Sequence, residues 1–75
     1  MYFLIVIQKF NDDTTAKAIY EYNTEAEALS ALYSTMASSI ATETVSEAIC
    51  VILNSIGVNM KYERWERNPV DVIPE

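Results

Sequence analysis

The sequence predicts an α+β fold in which two strands, one helix and two further strands follow in the order ββαββ. Three observations support this fold class. Runs of β-branched and aromatic residues, which favour strands, lie near both ends of the chain. Thr24 and Glu27 form the Thr-x-x-Glu capping pattern that begins a helix. Clusters of polar turn residues at 11–14 and 54–57 separate the strands of each pair.

The first two strands are predicted to form a hairpin. Residues 2–10, YFLIVIQKF, open with a continuous apolar run, which is typical of a central strand covered on both faces. Residues 15–22, TAKAIYEY, alternate and carry charges, as an edge strand does. The short side chains of NDDT at residues 11–14 bond to their own backbone, which favours a turn. Metal binding by Asp12 and Asp13 is the alternative, but no EF-hand spacing follows them.

The predicted helix begins after Thr24 and extends through the segment EAEALSALYSTMASSIA. Its large apolar residues recur at steps of three and four, which places them on one side of a helix. They are Leu29, Leu32, Met36 and Ile40. The many Ala and Ser residues make this helix thin, so it can lie close to a sheet. The polar residues 42–46 are expected to end it.

Residues 47–53, EAICVIL, predict the third strand. A buried helix is the alternative, since Ile49, Ile52 and Ile56 also fit a helical period, but β-branching favours the strand. Residues 58–66 alternate and predict a second charged edge strand, joined by a loop in which Gly57 takes a left-handed conformation.

These assignments predict one antiparallel sheet with strand order 2-1-3-4 and a helix that crosses over from strand 2 to strand 3. Apolar strands lie at the centre and charged strands at the edges. Residues 1–66 form a single domain. Residues 67–75 contain both prolines and are predicted to be an extended tail.

The turn lengths predict which side chains share a face. A four-residue loop at 54–57 places Leu53 opposite Val58 and Glu47 opposite Arg64, a charge match that supports the register. The same reasoning for the first hairpin groups Phe3, Ile5 and Ile7 with Ala18, Tyr20, Tyr22. We assign this face to the helix.

The opposite face then exposes an apolar patch with a charged rim, which a single helix cannot also cover. Monomers rarely leave such a patch bare, so we expect it to pack against a second copy in a homodimer or larger assembly. Its expected interface anchors are Trp65, Tyr2, Leu4, Val6 and Ile52. The alternative is that the C-terminal tail folds back and covers the patch with Val70, Val72 and Ile73.

Composition restricts the partners. Five Lys and Arg against eleven Asp and Glu give a net charge of −6, which repels phosphate backbones, so direct nucleic-acid binding is not expected. The acidity could suit a basic protein or simply keep the chain in solution. MYFLIVIQKF has only six consecutive apolar residues after Met1, too few for a signal peptide or membrane span. With one thiol, the chain is predicted to be cytoplasmic, with no membrane partner.

Residue types argue against an enzyme. The chain has no histidine, which excludes Ser-His and Cys-His nucleophiles and an ordinary zinc site. Cys50 lies in an apolar strand without a cationic neighbour, as an inert buried thiol does. Glu21 and Glu63 fall on opposite edges of the sheet, and one glycine cannot build a phosphate loop. We therefore predict no catalytic residue, cofactor or metal.

A small-ligand site is the alternative to a protein partner. Tyrosines could stack on a nucleotide base while cations pair with its phosphate, at a junction between subunits. The residues in question are Tyr20, Tyr22, Tyr62, Lys61, Arg64 and Arg67. Tyrosine is also a good strand residue with a polar tip, which accounts for the same pattern without a ligand.

The segments YFLIVIQ, AIYEYNTEAEALSALYSTMA and AICVILNSIGVNMKYERWE together resemble a group of small proteins from phages and prophages of gut Firmicutes, over residues 2–66. The resemblance brings no catalytic motif. It implies a protein that binds and disables a host defence component in the host cytoplasm, or one that sequesters its nucleotide signal. The sequence therefore leads us to expect a non-enzymatic, self-associating binding protein.

Overall fold

A computed structural model describes residues 1–67 of the chain. Its elements are β1 (Tyr2–Phe10), β2 (Thr15–Tyr22), α1 (Glu25–Ala41), β3 (Val45–Asn54) and β4 (Asn59–Glu66). The four strands form one antiparallel sheet in the order β2-β1-β3-β4, which confirms the predicted α+β fold and strand order. The predicted tail lies outside the described residues, apart from Arg67.

Helix α1 begins where the capping pattern predicts. The Oγ1 of Thr24 accepts a hydrogen bond from the backbone N–H of Glu27 at 3.2 Å, which satisfies one of the free donors at the helix start. The buried side of the helix runs through Ala28, Leu32 and Ser39. The predicted stripe is therefore only partly right, because Ile40 is 47% exposed while the smaller Ser39 faces the sheet.

The core lies between α1 and the face of the sheet that was predicted to be bare. Its buried residues are Leu4, Val6, Ala28, Leu32, Cys50 and Ile52, with Tyr2 and Tyr22 packed at its margin. Our assignment of the helix to the face of Phe3 and Ile5 is thus wrong. The helix packs where the sheet side chains Ala48 and Cys50 are small, which lets the two backbones approach.

The first hairpin explains the wrong grouping across β1 and β2. The N–H of Phe10 donates to Thr14 O at 2.9 Å, and the N–H of Asp13 donates to Phe10 O at 3.0 Å, so the loop has three residues and not four. Asp13 takes the left-handed conformation that closes such a loop, with φ 70°. One residue fewer places Ile5 opposite Ile19 and moves every β2 side chain to the other face.

The second hairpin differs from its predicted register by two residues. Its loop also has three residues and ends at Gly57, whose φ is 86°. Beyond the loop, Met60 is an extra residue, since Leu53 pairs with Asn59 while Ile52 pairs with Lys61. The two shifts together preserve the predicted faces of β3 and β4 relative to each other.

Candidate interaction surface

The face of the sheet turned away from α1 is apolar and has no covering element among residues 1–67. We call it the bare face. It consists of Phe3, Ile5, Ile7, Ile19, Ile49, Val51, Leu53 and Tyr62, which the strand pairing places side by side. Residues on the central strands shield one another and are half-buried, whereas Ile19 and Tyr62 at the edges are 67% and 52% exposed. The bare face is therefore a continuous apolar surface across all four strands.

Charged side chains border the bare face on the β4 side. Arg64 Nη2 lies 2.6 Å from Glu47 Oε2 and 3.5 Å from Glu66 Oε1, and its Nε donates to Glu47 Oε2 at 2.8 Å. The predicted register is wrong here, because Glu47 stands opposite Glu66 and Arg64 opposite Ile49, but the two charges still meet along the diagonal. The hydrogen bond to the Glu47 carboxylate raises the pKa of the Arg64 guanidinium.

The β2 border carries Lys17 and Glu21, two exposed side chains on the same side as Ile19. Neither has an ion-pair partner within residues 1–67. An unpaired cation and an unpaired anion therefore stand on either side of the most exposed apolar residue of this edge.

The predicted interface anchors lie on the other side of the sheet. Leu4, Val6 and Ile52 are buried under α1, and Tyr2 packs against the same core. Trp65 stands opposite Ala48 and so also faces the helix side. None of these five can anchor a contact through the bare face, and the correction follows from the reversed assignment of the helix.

Trp65 and Arg67 close the gap between β4 and the end of α1. The guanidinium carbon of Arg67 lies 4.6 Å from the centre of the Trp65 ring. Its Nη2 donates to Ile40 O at 2.9 Å, in the last turn of α1, and to Thr42 O at 3.0 Å, which also accepts from the N–H of Val45. The last turn of α1 has no basic residue, so Arg67, directly after β4, supplies the positive charge there. Sequence reasoning missed this role because no local pattern marks it.

A second contact that the sequence did not predict joins α1 to β1. The amide Nε2 of Gln8 donates to Ser39 Oγ at 2.8 Å, and that hydroxyl donates to Thr35 O at 2.9 Å. Ser39 is 1% exposed, so the pair satisfies a buried polar group. The signal was present, since Gln8 interrupts an apolar strand.

The structure divides the predicted ligand site. Tyr62 belongs to the bare face, whereas Lys61 pairs with Glu63 at 3.2 Å on the helix side. This bond to Glu63, together with Tyr33, raises the pKa of Lys61. Arg64 and Arg67 are held by the carboxylates and carbonyls described above. Lys61 Nζ lies 5.9 Å from the centre of the Tyr33 ring, whereas Arg64 and Tyr62 share the other face, so the predicted cations and tyrosines do not form one site.

Tyr20 and Tyr22 do share a groove. It lies between β2 and α1, has a volume of about 330 Å³, and includes Gln8 and Thr35 in its lining. This volume is at the lower end of the range for small-molecule pockets, roughly 300–1,000 Å³. The two tyrosines thus form the part of the predicted ligand site that the structure brings together.

The remaining reactive groups are structural. Cys50 is fully buried, and burial raises the pKa of its thiol, which disfavours the nucleophilic thiolate. Asp12 accepts hydrogen bonds from the hydroxyl of Thr14 at 2.6 Å and its N–H at 3.1 Å, which lower the pKa of Asp12 and fix the turn. Within residues 1–67, no three His, Cys, Asp or Glu side chains are placed to hold a metal ion together.

Comparison of the chain with protein-family models, curated proteins and solved structures finds no match. The resemblance to phage proteins therefore stays a prediction. No helix in residues 1–67 has both the length and the apolar character needed to cross a membrane.

Proposed function

We propose that the protein is a non-enzymatic binding protein that acts as a self-associated assembly, with the bare face of one copy packed against that of another. The observation that carries the proposal is the row of large apolar side chains on a sheet face that no element of residues 1–67 covers. Isolated apolar residues are normal on protein surfaces, but a contiguous patch across four strands is typical of an interface.

The free energies of apolar burial and of association are compatible with a stable contact. Full burial of one large apolar side chain contributes about 1.5–3 kcal/mol, and the half-buried members of the bare face contribute less. Association costs about 4–15 kcal/mol in lost freedom. The two bare faces together supply enough such side chains to offset that cost. Two sheets packed face to face also give the roughly 10 Å thick core of a β-sandwich.

The assembly would leave an acidic surface free for an outside partner. The carboxylates of residues 1–67 that have no ion pair and do not border the bare face are Asp12, Glu25, Glu27 and Glu43. Glu25 and Glu27 lie in the first turn of α1, where negative charge is stabilised. With the resemblance to phage proteins, this excess supports a basic protein of the host cytoplasm as the target. Binding of such a target should weaken as salt rises.

Size-exclusion chromatography with light scattering over a range of concentrations tests self-association. The Ile19→Lys variant should be monomeric or associate far more weakly, because the substitution buries a charge in the contact. Ile40→Lys is the matched control, since Ile40 is similarly exposed but lies on α1, away from the bare face. It should associate like the natural chain.

A natural chain that stays monomeric at high concentration would overturn the proposal. In the alternative interpretation the C-terminal segment folds back over the patch; that segment lies outside the described residues, and a chain ending at Arg67 tests this outcome. If the bare face were covered by this segment, the shortened chain would begin to self-associate.

The groove of Tyr20 and Tyr22 favours a second candidate, a binder of small planar ligands such as nucleotides. Ligand that binds the folded chain raises its melting temperature. A nucleotide-induced shift that is lost in Tyr20→Ala and kept in Tyr62→Ala would support this function, because Tyr62 lies on the other face. No shift with any nucleotide, at concentrations up to the millimolar range, would exclude it.

A further inference from the structure

We infer that the second copy is related by a twofold axis that runs across the strands through Ile19, so that Lys17 of each copy meets Glu21 of the other. This inference rests on the proposed self-association and specifies its geometry. Symmetric pairs of chains use the same patch on both copies, so the patch must be complementary to itself.

Strand β2 has this self-complementary pattern. Lys17, Ile19 and Glu21 are alternate residues and therefore point to the same side of the sheet. Lys17 and Glu21 stand about 6.6 Å from Ile19 in opposite directions along the strand. A twofold axis through Ile19 exchanges the two positions, which brings each unpaired cation against an unpaired anion and leaves Ile19 against its own copy.

The same axis also places apolar residues on the other strands of the bare face opposite one another. The row of paired residues that lies along it is Ile19, Ile5, Val51 and Tyr62, all of them apolar or aromatic. The rows on either side exchange, so Ile7 faces Phe3 of the second copy. Apolar side chains then meet apolar side chains on both central strands, and the charges stay at the border.

The other simple arrangement has the axis parallel to the strands, and charge disfavours it. Both arrangements keep the strand directions of the two sheets aligned, as packed sheets prefer. A parallel axis, however, places β2 over β4 of the second copy. Lys17 and Arg64 belong to the same row, through Ile7 and Ile49, so Lys17 would face a guanidinium that Glu47 and Glu66 already bind, and Glu21 would face no cation.

Charge reversal distinguishes these geometries. Lys17→Glu and Glu21→Lys each create two like-charge contacts across the proposed axis, so each variant alone should have a dissociation constant raised roughly tenfold at low salt. The double variant restores both pairs and should return to within about threefold of the natural chain. Sedimentation measurements give the constants. Urea unfolding at low chain concentration checks that these exposed substitutions leave the fold intact.

A mixing experiment gives the sharper result. The Lys17→Glu chain presents two carboxylates and the Glu21→Lys chain presents two ammonium groups, so an equal mixture should form mixed dimers in preference to either homodimer. Native mass spectrometry counts them. The preference should shrink in 1 M salt, where the screening length falls to about 3 Å.

The outcomes separate this inference from the proposed function. If the natural chain is monomeric, both fail. If the chain and all its variants associate equally, the bare face remains the contact but the axis is overturned. If association changes in Lys17→Glu, in either direction, while Glu21→Lys is unchanged, the axis is parallel to the strands, since only position 17 would then stand over the charged group of Arg64, Glu47 and Glu66.

Discussion

The two faces of the sheet differ in a way that composition alone conceals. The covered face carries small or polar residues among its apolar ones, including Ala48, Cys50 and Gln8. The bare face carries almost only large β-branched and aromatic side chains. In the middle of the two central strands, the helix thus lies on the face that includes the smaller side chains.

This difference teaches that a helix selects a surface by fit more than by hydrophobicity. Close packing needs room for the helix backbone, and the small side chain of Cys50 provides it in the cluster that contains Ala28 and Leu32. Ile and Val side chains project further from a sheet than Ala and Cys side chains do. A second sheet fits such a surface better, because its own side chains interdigitate with it. The two faces therefore suit two kinds of neighbour, one within the chain and one outside it.

The largest expected effect comes from trimming one isoleucine on each face of β3. Ile52→Ala should reduce the free energy of unfolding by about 2–5 kcal/mol, because Ile52 is fully buried beneath α1 and its loss leaves a cavity. Ile49→Ala should cost the monomer clearly less while weakening association. Urea unfolding at low chain concentration, combined with light scattering, measures both. Equal losses of monomer stability would erase the distinction between the faces.

A smaller effect tests the contact of Arg67 with the end of α1, at the edge of the covered face. Arg67→Gln should reduce the free energy of unfolding by about 1–3 kcal/mol, because the carbonyls at the end of α1 lose a charged donor. Arg67→Lys should not restore the lost stability. The ammonium group of lysine is not planar, so it cannot bond these carbonyls and at the same time stack flat on Trp65. Arg64→Gln is the control, since Arg64 lies on the bare side of β4, and it should reduce the free energy of unfolding less. If Arg64→Gln reduced the free energy of unfolding as much as Arg67→Gln, the proposed role of Arg67 at the end of α1 would be contradicted.

The smallest expected effect tests how well the covered face excludes water from the Cys50 thiol. Burial raises the pKa of the Cys50 thiol above its ordinary value, so the folded chain keeps a proton that the unfolded chain releases above about pH 8.5. The contribution to stability is complete below that pH and is lost as pH rises towards the folded pKa. Urea unfolding from pH 7 to 9.5 should show this decline in the natural chain. A decline equally steep in Cys50→Ala would assign it to other groups.

Local signals predicted most of the fold. The bounds of β1 and β2 and the start of α1 match the sequence expectation, because strand alternation and the Thr24 cap depend only on neighbouring residues. Strand β3 begins two residues earlier than predicted, at Val45, where a polar segment concealed its start. The strand order followed from the charged edges and apolar centre.

The faces were not predictable by the same means. The segment NDDT allows a loop of either three or four residues, and the difference depends on Asp13 accepting a left-handed conformation that usually favours glycine. One residue decides which side every β2 side chain faces. The wrong anchors have a separate cause: the helix was assigned to the face of Phe3 and Ile5, which placed Trp65 and Leu4 on the open face.

The position of Arg67 in the chain gives the fold an order of completion. Arg67 follows Ile40, whose carbonyl it binds, by 27 residues. During synthesis the helix therefore leaves the ribosome before the residue that secures its end. A nascent or clipped chain that stops within β4 carries every residue of α1 but lacks its clamp, so the domain gains its full stability only when its last strand is made.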